Sequence, residues 1–202
     1  MNPALLQPAA VLLAAGASSR MGRPKPLLEF HGETFLDRQI ALFRAVCAPV
    51  VAVLGHAAPE IAAGLLNADL ATLVLNPQPA RGQLSSLQCG LRALPPCSSV
   101  FFLPIDSPGV QPGTLRRLLA ALHSSPESDI VIPRHSGRRG HPVLMRYTLI
   151  PEFLALAPSA TAREVVHAHL GTTLYVDVDD PAIHLDIDDP AAYQALLAEV
   201  RP

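Results

Sequence analysis

From Ala9 to Ala15 the chain carries no polar side chain, and at Gly16 it breaks into a loop of small residues. An unbroken apolar run of this kind reads as a strand covered on both faces, and it is too short to cross a bilayer. The rest of the chain supplies the cover. Thr34, with Asp37 three residues on, has the form of a helix N-cap ahead of an apolar stripe through Phe35, Leu36, Ile40, Leu42 and Phe43. Val50–Leu54 predicts a second strand, and Pro59 opens a short helix through Leu66. Leu73–Leu75 predicts a third strand, Leu84–Leu94 a helix, and Val100–Leu103 a fourth strand. Pro112 opens a helix covering Leu115–Leu122, Ile130–Ile132 is a fifth strand, and a last helix runs from Ala191 to about Val200. This alternation predicts one α/β domain, residues 1–202, with helices layered on both faces of a mostly parallel sheet. Ligands of such sheets sit at the carboxyl ends of strands, so residues just after each strand are the candidates for a site.

The loop after the first strand carries Arg20 and Lys25. Small residues let backbone N–H groups close on a ligand, and two cations follow to meet negative charge; the combination suits a polyphosphate. Two familiar phosphate loops are excluded by counting. Gly16 and Gly22 are separated by five residues and followed by Arg23-Pro24, which is not a P-loop. Ser18 and Met21 stand where a dinucleotide fingerprint needs glycine. A signal peptide is disfavoured because no Lys or Arg precedes the apolar run.

Composition narrows the partners. The formal charge is −2, with no basic surplus to recommend nucleic acid or an anionic membrane. The chain has no Trp and few aromatics for a base-stacking platform. Cys47, Cys89 and Cys97 are odd in number and lack CxxC spacing, which suits buried thiols in a reducing cytoplasm and neither a disulfide frame nor a zinc site. The 21 prolines are scattered and form no low-complexity tract.

Four segments carry further candidates. Asp106, in Pro104-Ile-Asp-Ser-Pro108, follows the fourth strand, where a carboxylate can hold a divalent ion that bridges triphosphate oxygens. Its plainer role, capping the next helix, competes poorly because that helix begins several residues later. Gly82, Ser85 and Ser86 precede or open a helix and offer an anion or hydroxyl site, though N-capping explains the serines equally well. Arg138, Arg139, Gly140 and His141 follow the fifth strand and suit either a second anionic substrate or an exposed charged loop. Asp177, Asp179, Asp180, Asp186, Asp188 and Asp189 form an acidic run that reads as a solvated face, with Asp189 placed to cap the last helix. His167 and His169, two apart on a predicted helix, cannot share a face, so the histidines make no metal set.

The string Leu13-Ala-Ala-Gly-x-x-Ser-Arg-Met-Gly-x-Pro-Lys25 resembles the signature loop of the nucleotidyltransferases typified by the molybdenum-cofactor enzymes. Further matching segments fall at residues 82–87, 104–108, 137–142 and 186–190, so the resemblance spans nearly the whole chain. It implies a Rossmann-like sheet of the nucleotide-diphospho-sugar transferase type, and transfer of a nucleotide to molybdopterin with release of pyrophosphate. It further implies nucleotide contacts from Leu13, Ala14, Ala15, Gly16, Ser19, Arg20, Lys25, Gly82, Ser85 and Ser86, and Mg2+ on Asp106 and Asp188. Arg20, Lys25 and Asp106 are the implied catalytic set; Arg138, Arg139, Gly140 and His141 are the implied acceptor site. Ser107 stands where relatives often carry Met, and Asp189 where they carry Thr. The guanylyl branch usually has two adjacent glycines where this chain has Ala15-Gly16, so the Ala15 methyl favours CTP over GTP. Transferases acting on sugar or alditol phosphates share Ala-Ala-Gly but usually insert residues between the arginine and the lysine, and none are inserted here. The receiving partner would be a molybdoenzyme or its chaperone. A non-catalytic carrier of molybdopterin is the alternative from another class, and such a carrier has no need of a triphosphate-metal site.

Overall fold

In the computed structural model, which describes residues 6–198, β1 (Ala9–Ala14) is buried along its whole length because it lies inside the sheet. It pairs in parallel with β4 (Val50–Leu54) on one side and β6 (Ser99–Pro104) on the other. Beyond β4 lies β5 (Thr72–Leu75), also parallel. A small two-stranded sheet, β2 (Glu29–Phe30) with β3 (Glu33–Thr34), stands apart. On the other flank come β7 (Ile130–His135), the short β8 (Arg138–Arg139), β9 (Val143–Arg146) and β10 (Thr173–Asp177). The main sheet has eight strands in the order β10-β7-β9-β6-β1-β4-β5, with β8 on β7. Only β9 and β8 run antiparallel to their neighbours.

Alternation along each strand divides the core into two layers. Ala10, Leu12, Ala14, Phe101 and Leu103 face α1 (Phe35–Arg44), α4 (Pro112–Ser124) and α7 (Pro190–Ala198). Val11, Leu13, Val53, Val100 and Phe102 face α3 (Gln83–Arg92), α5 (Ile150–Ala155) and α6 (Arg163–Ala168). A short α2 (Ala58–Gly64) follows β4. Thr34 caps α1 as expected, accepting from the Asp37 N–H at 3.0 Å. Asp189 accepts from the Ala192 N–H at 2.9 Å at the start of α7. Val200, the expected end of that helix, lies outside the described residues. The pattern predicts none of β2, β3, β8, β9 and β10: the first three are two residues each, and three apolar residues in β9 and a half-buried edge in β10 leave little periodicity to read. Among the described residues no helix is long and apolar enough to cross a membrane.

Candidate functional site

The chain leaves β1 through a loop closed on itself at both ends. Ser18 and Gly22 adopt φ of 51° and 70°, and the Ser18 hydroxyl accepts from the Lys25 N–H at 2.9 Å. That closure turns the Lys25 side chain inward, where it is 12% exposed, and leaves Arg20 65% exposed at the rim. Beside the loop is a cavity of about 280 Å³. Leu13, Ala14, Ala15, Gly16, Ser19, Arg20 and Lys25 line it from the β1 side. Gly82 and Ser86 line it from the segment entering α3, and Asp106 and Asp188 complete it.

Lys25 Nζ donates to Asp188 Oδ1 at 2.6 Å, and Arg20 Nη2 donates to Asp188 Oδ2 at 2.8 Å. Those two hydrogen bonds hold the Asp188 carboxyl below the usual carboxylate range. Asp106 is in the opposite state. Burial pushes its carboxyl up to about 6, opposed by Lys25 and reinforced by Asp186 and Asp188. Asp106, Asp186 and Asp188 each bring a carboxylate oxygen within 4.8 Å of the others. Two cations meet Asp188, whereas at half-buried Asp106 Lys25 alone opposes the effect of the neighbouring Asp186 and Asp188. An all-oxygen set of this kind fits a hard divalent cation such as Mg2+ or Mn2+.

Asp186 belongs to this trio, although its spacing first reads as part of a solvated acidic face. The signal lay in Asp186-Ile-Asp188: in extended backbone, residues two apart share a side. Ile187 between them is 3% exposed and faces the core.

On the other wall, Asn76 is 2% exposed and its Nδ2 donates to Ser85 Oγ at 2.9 Å and Ser86 Oγ at 3.0 Å. Its Oδ1 accepts from the Gln78 N–H at 2.9 Å. Both serines lie inside α3, so neither is its N-cap; Gly82 holds that place with φ of 90°. Ser86 reaches the cavity, whereas Ser85 faces a neighbouring depression beside Gln88 and Cys89 and donates to the Gly82 carbonyl at 2.8 Å. Ala15 packs so closely on Gly55 that a Cβ there would lie 2.8 Å from the Ala15 methyl and from Pro79.

Arg138, Arg139, Gly140 and His141 do not line this cavity. They form a hairpin edge instead of a free loop: Arg138 and Arg139 are β8, and Arg139 lies over the Tyr175 ring, 5.6 Å from its centroid. His141 N–H donates to the Ile183 carbonyl at 2.9 Å, and burial holds its imidazole below the ordinary range. Its Nδ1 is buried without a partner.

A parallel sheet with a two-cation loop and converging carboxylates at its carboxyl edge defines a nucleotide-handling α/β protein. Residues 10–173 match the MobA-like NTP transferase domain, and the chain belongs to that family of nucleotidyltransferases. It is 28% identical over 135 residues to the molybdenum cofactor cytidylyltransferase of Escherichia coli, covering 67% of this chain and 68% of that one. It is 34% identical over 148 residues to the nicotine blue oxidoreductase of Paenarthrobacter nicotinovorans, covering 70% and 72%. Rv0371c of Mycobacterium tuberculosis superposes with a TM-score of 0.81 at 27% identity, covering 96% of this chain and 98% of that one. Its manganese complex superposes at 0.74 and 27% identity, covering 95% and 98%.

Proposed function

We propose that this chain, acting as one domain, transfers CMP from CTP to the terminal phosphate of a molybdopterin and releases pyrophosphate. The observation that carries the reading is the convergence of Lys25, Arg20, Asp106 and Asp188 on one cavity, with the Asp186 carboxylate within 4.8 Å of the other two. The relative with an oxidoreductase name makes the point that the family frame alone does not fix the chemistry. The charged set supports transfer from a triphosphate, whose charge two cations and a carboxylate trio can neutralise.

The reaction is an in-line displacement at the α-phosphorus. An oxygen of the acceptor phosphate forms the new P–O bond, and the bond to the bridging oxygen of pyrophosphate breaks with its electron pair. The attacking group is already anionic, so no side chain need act as a strong base. Loop amides around Gly16 and Ser19 bind the phosphates, Lys25 meets the charge that develops in transfer, and Arg20 holds the triphosphate at the rim. Asp106 and Asp188, with Asp186, would hold Mg2+, which supplies further charge neutralisation. The Ala15, Gly82 and Ser86 wall takes the base and ribose, with Ser85 behind it. The cavity is small for both substrates, so the acceptor lies outside it along Arg138, Arg139, Gly140 and His141, from which product passes to a molybdoenzyme or its chaperone. Three free thiols, of which burial pushes Cys47 to about 12 and Cys97 to about 11, suit a reducing cytoplasm.

The test is pyrophosphate release with molybdopterin, Mg2+ and each nucleoside triphosphate in turn. CTP is expected to give the highest kcat/KM, and Ala15→Gly to raise relative use of GTP without reversing the preference. Wild-type preference for GTP would overturn the base assignment, and failure of every nucleotide to give pyrophosphate would overturn the reaction.

A further inference from the structure

Asp186 and Asp188 are carried by a strap, residues 181–188, laid between two limbs of the fold. Its root is fixed by Asp180, whose carboxylate accepts from Gln111 N–H at 3.0 Å, Thr114 Oγ1 at 2.6 Å and Ala182 N–H at 3.1 Å. On the β8 side the approach is so close that a Cβ on Gly140 would collide with the Ile183 carbonyl. On the other side the strap meets the Asp106 loop at two points. Ile187 N–H donates to the Asp106 carbonyl at 3.1 Å, and the Ser107 hydroxyl donates to the Leu185 carbonyl at 2.7 Å. These two bonds bracket Asp186.

Ser107 is 2% exposed, so its hydroxyl has no access to water in exchange. Among the described residues it makes the one side-chain hydrogen bond between the Asp106 loop and the strap. Its limb is itself fixed: Gln39 of α1 donates Nε2 to the Pro104 carbonyl at 3.0 Å and to the Ser107 carbonyl at 3.3 Å. A rigid limb with one side-chain pin is the arrangement that sets register across a junction.

We propose that Ser107 is a positioning residue, whose hydroxyl fixes the strap so that Asp186 and Asp188 face Asp106 at metal-binding distance. This rests on the reading of the trio as the metal carrier. Ser107 touches neither substrate nor metal. It acts through the strap, as groups that orient metal ligands do, and their loss typically weakens metal affinity about 10- to 100-fold.

The experiment is Mn2+ binding to the full chain without nucleotide, followed by the electron spin resonance of free Mn2+, alongside thermal denaturation. Ser107→Ala is expected to weaken Mn2+ binding about 10-fold or more. Its requirement for Mg2+ in turnover should rise, with kcat recovering at saturating metal. Ser107→Cys, similar in size and a poor donor, is expected to behave alike and serves if the alanine variant does not fold. A folded variant that binds Mn2+ as the wild type does overturns the proposal, even if it melts earlier, because Ser107 would then be structural only. In that case the trio still binds metal and only the positioning role falls. A wild type that binds no Mn2+ overturns the trio and the positioning role together.

Discussion

Lys25 and Arg20 share one carboxylate but differ in surroundings, and the difference predicts a division of labour. Lys25 is 12% exposed and fixed by its own backbone bond to Ser18, so in the proposed reaction it would meet developing charge without reorganising. Lys25→Ala is expected to lower kcat about 100- to 1,000-fold, the scale of losing one preorganised charge donor. Arg20, 65% exposed, acts through a flexible and screened side chain. Arg20→Ala is expected to raise the apparent KM for nucleotide while lowering kcat much less. Steady-state kinetics of both variants check this, and a fall in kcat alone for both would show that the cations act as one.

At the scale of elements, a few polar joints tie neighbouring segments together. Asp37, 1% exposed in α1, accepts from Thr34 Oγ1 at 2.7 Å and from the Leu66 and Asn67 N–H groups at 3.0 and 2.7 Å. It therefore secures the start of α1 and the chain leaving α2 together. Asp37→Ala strands two backbone donors and is expected to cost about 3 kcal/mol, measured by urea denaturation. His169 joins Asp129, before β7, to Glu152 of α5, at 3.3 and 2.8 Å. Its hydrogen bond to Glu152 is the chief cause that raises its pKa above 6.5. The contribution is then full below pH 6.5 and is lost as pH rises through the folded-state value. Wild-type stability should fall between pH 6 and 8 more than that of His169→Gln, compared by denaturation midpoints; equal slopes would show that the pair is screened away. The elements themselves were legible where apolar periodicity was long: β1, β4, α1 and α4 fall where the pattern puts them. β8 was not, because Arg138 and Arg139 form a strand only through pairing with Arg134 and His135, a tertiary fact that local pattern does not carry.

Across the whole molecule, the site exists because β1 and β6 are neighbours running the same way, which brings the loop after one beside Asp106 after the other. Both loops stand out in the sequence as candidates, by their residue types and their place after an apolar run. Spacing could not show that the strap returns from residue 181 to set Asp186 beside Asp106, nor that Asn76 holds Ser86 toward the cavity and Ser85 away from it. The first depends on contacts between segments far apart in the chain, the second on how the turn from β5 into α3 brings Asn76 back to residues nine and ten positions on. The proposed transfer is tested most directly by mass spectrometry of molybdopterin after incubation with CTP and Mg2+. The wild type is expected to yield molybdopterin carrying a covalently joined CMP. Asp106→Ala, folded by circular dichroism, is expected to yield none. Unmodified molybdopterin with the wild type, bound or free, would contradict the account and leave a carrier in its place; product from Asp106→Ala at the wild-type rate would contradict the role of the trio.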